Sequence, residues 1–494
     1  LEPGEHVVHV DHGIGKYLGL FEIRFKGLLQ EVLAIEYAEG ARLYLPVSHA
    51  HLLSRYVGMG ARAPRLHKLG GRRWSGEKRA AQKAVRDLAA GLLETQATRS
   101  LREGFAYPED GHWQHEFEAA FPFEETADQA AAIDQVKGDL ERPRPMDRLI
   151  CGDVGYGKTE VAMRAAFKAV MGGKQVAVLV PTTILAQQHF DTFSSRMAAY
   201  PVTVHVLSRF ESRSMQQQTL AGLREGAVDI VIGTHRLLQQ DVQFKDLGLL
   251  VIDEEQRFGV AQKEYLKQLR RLVDVLTLTA TPIPRTLYMS LLGAKDMSTI
   301  QTAPRERLPV ETIVVESSDA VIRSAILREL NREGQVFFLH NRVMSIDRMH
   351  QRLERLVPEA RVAVGHGQMH EKELAAVMHD FVRGAYDVLL CTTIIESGVD
   401  IPNVNTILID RADRFGVADL YQLRGRVGRY KNKAYAYLLL PRHGRLFDTA
   451  RQRIGAIRRH SSLGSGFKLA MKDLEIRGAG NMLGAEQSGH IAAV

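Results

Sequence analysis

GDVGYGKT, residues 152–159, satisfies GxxxxGK[ST] in full, and the chemistry such a loop performs is phosphate holding. Gly152, Gly155 and Gly157 let backbone amides converge on an anion, with Asp153, Val154 and Tyr156 between them. Lys158 supplies charge to the outer phosphates of a nucleoside triphosphate, and the Thr159 hydroxyl can ligate magnesium. A glycine turn between strand and helix would look similar, but here the apolar run RLICGD precedes and the helical stretch EVAMRAAF follows. LLVIDEEQ, residues 249–256, ends a second apolar run in acids. Alone, these would be a solvated strand end. Joined to a phosphate loop, Asp253 can hold magnesium through water and Glu254 can orient the attacking water as a base. LYQLRGRVGR spaces Arg424, Arg426 and Arg429 between glycines. A charge run is ordinarily a solvated face, yet phosphoryl transfer gains about 10³- to 10⁵-fold from an arginine that reaches the γ-phosphate across an interface. An earlier GxGK, in HGIGKYLG at residues 12–19, lacks the four-residue gap and the hydroxyl, since Tyr17 follows Lys16. It reads as sitting between strands, its glycines bending a small barrel.

These groups need strands to place them. From about residue 112 to 440 the runs RLICGD, QVAVLVPTT, VDIVIGTH, GLLVIDEE and VLTLTAT, and then QVFFLHN, DVLLCTT, NTILIDRAD and AYAYLLLP, alternate with helical stretches. Continuous apolar strands separated by helices predict parallel sheets covered on both faces. Two sets divided near APRERLP (303–309) predict tandem α/β lobes, over 111–306 and 307–440. Before them, residues 1–65 carry short alternating strands, with Leu33, Ile35 and Tyr37 on one face and Leu43, Leu45 and Val47 on another, as in a small antiparallel barrel. Residues 66–110 predict a basic linker and long helix, with Ser75 as N-cap, and 441–494 a basic helical and glycine-rich tail.

The 494 residues are 45% hydrophobic and 25% charged, with a net charge of +7. That balance excludes a disordered or membrane-spanning chain, since no apolar run approaches the ~18 residues a bilayer requires. Two cysteines, Cys151 and Cys391, exclude a disulfide framework or zinc site and predict a reducing cytoplasm. Residues 1–60 hold five Lys/Arg against seven Asp/Glu, whereas 61–100 hold ten against three and 441–494 nine against four. A polyanion is therefore expected on the later parts of the chain, and a different partner on the first 60 residues.

The ordered series FEETADQ, GDVGYGKT, PTTILAQQ, GTHRLL, DEEQRFG, TATPIPRTL, HNR, GHGQM, CTTIIESGVDIPNVNT and QLRGRVGR resembles the motif set of a superfamily 2 helicase or translocase. The resemblance implies RecA-like lobes, ATP as substrate and Mg2+ as its ion. By it, Phe121 and Gln129 recognise adenine and Lys158, Thr159, Asp253 and Glu254 form the hydrolytic site. Gln256 senses nucleotide, Arg426 and Arg429 act as arginine fingers, and Asp400 lies near the ribose. Thr182, Gln187, Thr234, His235, Asn341, Arg342, Gly365, Thr392 and Thr393 would line a groove over the DNA backbone, fixing position without reading sequence. Related sequences carry histidine where Gln256 stands.

DEEQRFGV, TATPIPRTL and DLEIRGAGNMLGAEQSG narrow the likeness to the RecG-like group; the last resembles a translocation motif, a helical hairpin and loop, with Arg477 and Gln487 at its family positions. A RecG-type junction helicase would place an OB-type wedge before its motor. Here GEHVVHVDHGIGKYLGL, continuing through LYLPVSHAHLLSRY and LHKLGG, instead resembles the Tudor-like RNA polymerase interaction domain of the bacterial transcription-repair coupling factors, shared with CarD-type regulators. That family implies double-stranded DNA and RNA polymerase as partners, coupling to nucleotide excision repair, and no membrane. UvrA would be met only through regions outside this chain, which reads as an excised piece. Leu20, Phe21, Ile23 and Phe25 in LFEIRF are the expected polymerase contacts, with barrel core as their other role.

Overall fold

The computed structural model describes residues 3–55 apart from Val10, Lys26 and Gly27, then 65–71, 103–255, 273–280, and 296–442 apart from Glu306, 398–400, Pro402 and 429–431. It also describes the single residues Trp74, Phe258, Leu266, Ile454, Gly455 and Ile457. The chain forms two compact units, the first holding an antiparallel sheet and the second two parallel sheets. The expected linking helix and C-terminal hairpin lie outside the described residues.

In the first unit β1 (His6–His9), β2 (Gly13–Phe25), β3 (Leu28–Glu36), β4 (Arg42–Pro46) and β5 (Leu53–Arg55) run in the order β4-β3-β2-β1-β5. Strand alternation sends Tyr17, Leu33, Ile35, Tyr37 and Leu45 into one cluster with Val7. Val47 departs from the expected face: it opens the 3-10 helix Val47–Leu52 and is 41% exposed. Pro46, directly before it, cannot donate to a strand ladder, so the strand stops there.

The GxGK stretch does not sit between strands, as its glycines suggest, but lies within β2. Gly13 has φ +78°, and a Cβ there would lie 2.8 Å from Trp74 and 2.9 Å from His67; at Gly15 it would lie 2.5 Å from Ile35 Cγ2. These glycines let other groups approach the sheet closely. Ile14 N donates to His67 Nδ1 (2.9 Å) and His67 N donates to Ile14 O (2.9 Å), so residues 65–71 begin by packing on the sheet.

In the second unit β6 (Asp147–Gly152), β7 (Gln175–Leu179), β8 (Val204–Leu207), β9 (Ile230–Gly233), β10 (Leu247–Asp253), β11 (Asp274–Thr279) and β12 (Asp296–Ile300) form a seven-stranded parallel sheet, β12-β6-β11-β10-β7-β9-β8. A six-stranded parallel sheet follows, β13-β18-β17-β14-β16-β15. Its strands are β13 (Glu311–Glu316), β14 (Gln335–Leu339), β15 (Val362–Gly365), β16 (Val388–Cys391), β17 (Val404–Ile409) and β18 (Tyr435–Leu440). Both faces are covered, as the continuous apolar runs require. On β14, Phe337 joins one core cluster beside Phe381 (ring centroids 5.7 Å apart), and its neighbour Phe338 joins the cluster on the opposite face. Each contributes about 1.5–3 kcal/mol by burial.

Candidate nucleotide site and nucleic-acid face

The phosphate loop leaves β6 and enters helix Lys158–Met171. Gly155 and Gly157 both have φ +78°, a region that costs other residues strain. A Cβ at Gly157 would lie 2.4 Å from Gln129 Nε2. Gln129 is set by a capping box: Thr126 N donates to its Oε1 (2.8 Å) and its own N donates to Thr126 Oγ1 (3.2 Å). Its Nε2 donates to Tyr156 O (3.0 Å), tying the expected adenine-reading residue to the phosphate loop. Lys158 Nζ donates to Gly152 O (2.6 Å) and Asp153 O (2.9 Å). Burial lowers the pKa of this ammonium despite Glu254, Asp253 and Asp153 nearby.

Asp253 ends β10, two strands from β6 across β11. Burial opposes its charge, but the hydrogen bond with His189 and the nearby positive charges of Lys158 and Arg426 outweigh it and hold the carboxyl below its usual range. Glu254 follows in a left-handed conformation, φ 50°, sparsely populated by residues other than glycine. It is held there by Glu254 N donating to Leu278 O (3.0 Å) and Ala280 N donating to its Oε1 (3.0 Å). One carboxylate oxygen is thereby anchored just past the end of β11 while the group lines the cleft.

That cleft, about 690 Å3, brings together Phe121, Gln129, Gly155, Gly157, Lys158 and Thr159 with Asp253, Glu254 and, from the six-stranded lobe, Arg426. Arg424 is not among them; its guanidinium lies 4.5 Å over the Tyr421 ring. Phe121 is half-buried, with Arg164 at 5.4 Å over its ring, whereas Phe123 beside it is 56% exposed and lines the cleft. Gln256, Asp400, Arg429, Arg477 and Gln487 lie outside the described residues.

Three participants escaped the sequence reading. His189 Nε2 lies 3.3 Å from Asp253 Oδ2. It sits within PTTILAQQHF, where Leu185, Ala186, His189 and Phe193 share the buried stripe of helix Thr183–Met197 and Gln187 faces solvent; helical periodicity alone would have separated them. Arg307, in the inter-lobe stretch APRERLP, donates from Nη1 to Val154 O and from Nη2 to Gly425 O (3.5 Å). Tyr421, beside the spaced arginines, donates to Asp153 Oδ2. No spacing signal marked either.

The expected DNA-contact residues gather at the C-terminal ends of adjacent strands in each lobe. Thr182 and Thr234 follow β7 and β9, each as an N-cap, and Thr182 Oγ1 accepts from Leu185 N (3.4 Å). Asn341 and Arg342 follow β14, Gly365 ends β15, and Thr392 and Thr393 follow β16. Gln187, Asn341 and Arg342 are exposed, while Thr234, Gly365 and Thr392 are buried. His235 Nε2 lies 2.7 Å from Arg209 Nη2, adding a cation the sequence did not single out.

In the first unit Leu20 is 53% and Phe21 48% exposed; Ile23 is half-buried, and the Phe25 side chain lies outside the described residues. β1 pairs with β2 only through Gly13–Lys16, while β3 pairs along it to Phe25. Among the described residues, no strand covers the other edge of β2 from Leu18 onward.

Residues 126–290 match the model of DEAD/DEAH box helicases, 319–431 that of the helicase conserved C-terminal domain, and 1–57 that of the CarD-like/TRCF RID domain. All 494 residues align at 55% identity with the transcription-repair-coupling factors of Bacillus subtilis and Haemophilus influenzae. Over its whole length the chain is similar to the transcription-repair-coupling factors. It spans 42% and 43% of the length of those two relatives. A structure of RecG bound to a three-way DNA junction is similar with a TM-score of 0.66 and 27% identity, over 96% of this chain and 75% of that one. The matched models therefore join a helicase-type pair of lobes to a CarD-like domain. No described helix is long and apolar enough to cross a membrane.

Proposed function

We propose that this chain is an ATP-driven translocase on double-stranded DNA whose first unit docks on RNA polymerase, so that ATP turnover pushes forward or displaces a stalled transcription complex in the bacterial cytoplasm and couples it to excision repair. The observation that carries this reading is the single cleft holding Lys158, Asp253 and Glu254 of one lobe with Arg426 of the other. Hydrolysis placed between two lobes converts bond cleavage into lobe movement, and the aligned strand ends supply backbone contacts that carry no base readout.

Thr159 and Asp253 line the cleft as oxygen donors, which suits a magnesium ion that takes its remaining ligands from phosphates and water. When bound, the ion would neutralise charge on the transferred phosphoryl group. Glu254 would take the proton of the attacking water, Lys158 would hold the outer phosphates, and Arg426 would stabilise the charge that builds as the phosphoryl group moves.

The uncovered edge of β2 fits strand addition by a protein partner, with exposed Leu20 and Phe21 alongside it. Phe21→Asp should abolish displacement of a nucleotide-starved polymerase while DNA-stimulated ATP turnover continues unchanged. Displacement that persists in this variant, or that proceeds without ATP, overturns the assignment. The likeness to junction-bound RecG supports a second reading, a fork or junction helicase. Unwinding of forked DNA in the absence of polymerase would favour it.

A further inference from the structure

We propose that Tyr421 is a positioning residue for Arg426, fastening the arginine segment of one lobe to the phosphate loop of the other by its hydrogen bond to Asp153. This rests on the reading of the cleft as an ATP-hydrolysing site. Tyr421 lies on helix Val417–Arg424, which runs directly into Gly425 and Arg426, so its placement fixes where that arginine emerges.

Three separate contacts converge on this junction. The Tyr421 hydroxyl donates to Asp153 Oδ2, with Tyr421 5% and Asp153 8% exposed. Gly425 sits so close to the loop that a Cβ there would lie 3.1 Å from Val154 Cβ. Arg307 joins the same two segments, donating to Val154 O and Gly425 O, with its guanidinium 5.5 Å from the Tyr156 ring. The second residue of the loop, an acid with no part in cradling phosphate through its side chain, thus has a partner in the other lobe.

The chemistry favours such a lock. A buried neutral hydroxyl donating to a carboxylate is a strong, directional bond, and burial together with Asp153 raises the Tyr421 pKa, which keeps the hydroxyl protonated as the donor. Arg424 packs over the Tyr421 ring, fixing the ring plane from the other side. Arg426 reaches the cleft in the same arrangement, 4% exposed and close enough to Asp253 to help hold that carboxyl ionised. The contact is therefore compatible with the assembled site.

Tyr421→Phe deletes only the hydroxyl. We expect its DNA-stimulated ATP turnover at saturating ATP to fall about 10- to 100-fold, because a small misplacement of a charge-stabilising group costs on that scale, with KM for ATP unchanged. In an Arg426→Ala background the same substitution should cost nothing further, since both changes remove one group's action. Losses that multiply in the double variant, or a kcat that stays at the parent value in Tyr421→Phe, overturn the proposal. Lys158→Ala separates the two readings. If it abolishes turnover while Tyr421→Phe is silent, only the lock fails; if it leaves turnover intact, the hydrolytic reading of the cleft fails.

Discussion

Arg426→Ala should reduce ATP turnover by about 10³- to 10⁵-fold while the affinity for nucleotide changes little. The size follows from what an arginine at the γ-phosphate does: it offsets charge that develops only as the phosphoryl group transfers, so its loss falls on kcat. The structure gives the residue the means. Arg426 is buried, lines the cleft with Lys158 and Asp253, and is supplied by the opposite lobe. Lobe separation would therefore withdraw it from the reaction. Single-turnover hydrolysis with and without DNA checks this; equal rates for the variant and the parent would remove Arg426 from the chemistry.

Glu254→Gln should lower turnover by about 10²- to 10⁴-fold, the usual contribution of a general base, and leave a protein that still binds ATP and DNA. Glutamine preserves the volume and the acceptor that Ala280 N uses, so the left-handed backbone at this position keeps its anchor. What it loses is the ability to take a proton. Alanine at the same position would lose the anchor as well and confuse the two effects. Equilibrium binding of a fluorescent ATP analogue beside steady-state turnover distinguishes them, and turnover within a few-fold of the parent would sink the role.

The strands that the sequence disclosed and those it hid divide on a physical line. β6, β7, β9, β10, β11, β14, β16, β17 and β18 were legible as continuous apolar runs, because each has a neighbour on either side. β8, β12, β13 and β15 were not, and all four are edges of their sheets. β13 has no fully buried residue, and β15 alternates half-buried with buried positions, so the four- to six-residue edge strands carry too little apolar signal to stand out.

The site divides similarly. Residues whose chemistry demands a fixed local spacing, Lys158 and Thr159 after their glycines or Asp253 and Glu254 at a strand end, were readable in a single stretch. His189, Arg307 and Tyr421 act through partners 64, 153 and 268 positions away, and only folding discloses such pairings. Val47 shows the converse, a period that continued on paper after Pro46 had ended the strand.

The uncovered margin of β2 also bears on how this chain behaves when crowded with copies of itself. A bare strand edge is a template for whatever strand arrives first, and proteins restrain it with charge. Glu22 stands exposed in that stretch, and its charge penalises an apolar strand arriving alongside. Replacing it with an apolar residue would weaken that restraint and favour edge-to-edge aggregates. A charge that narrows the choice of incoming strand is thus also one that keeps the protein dispersed.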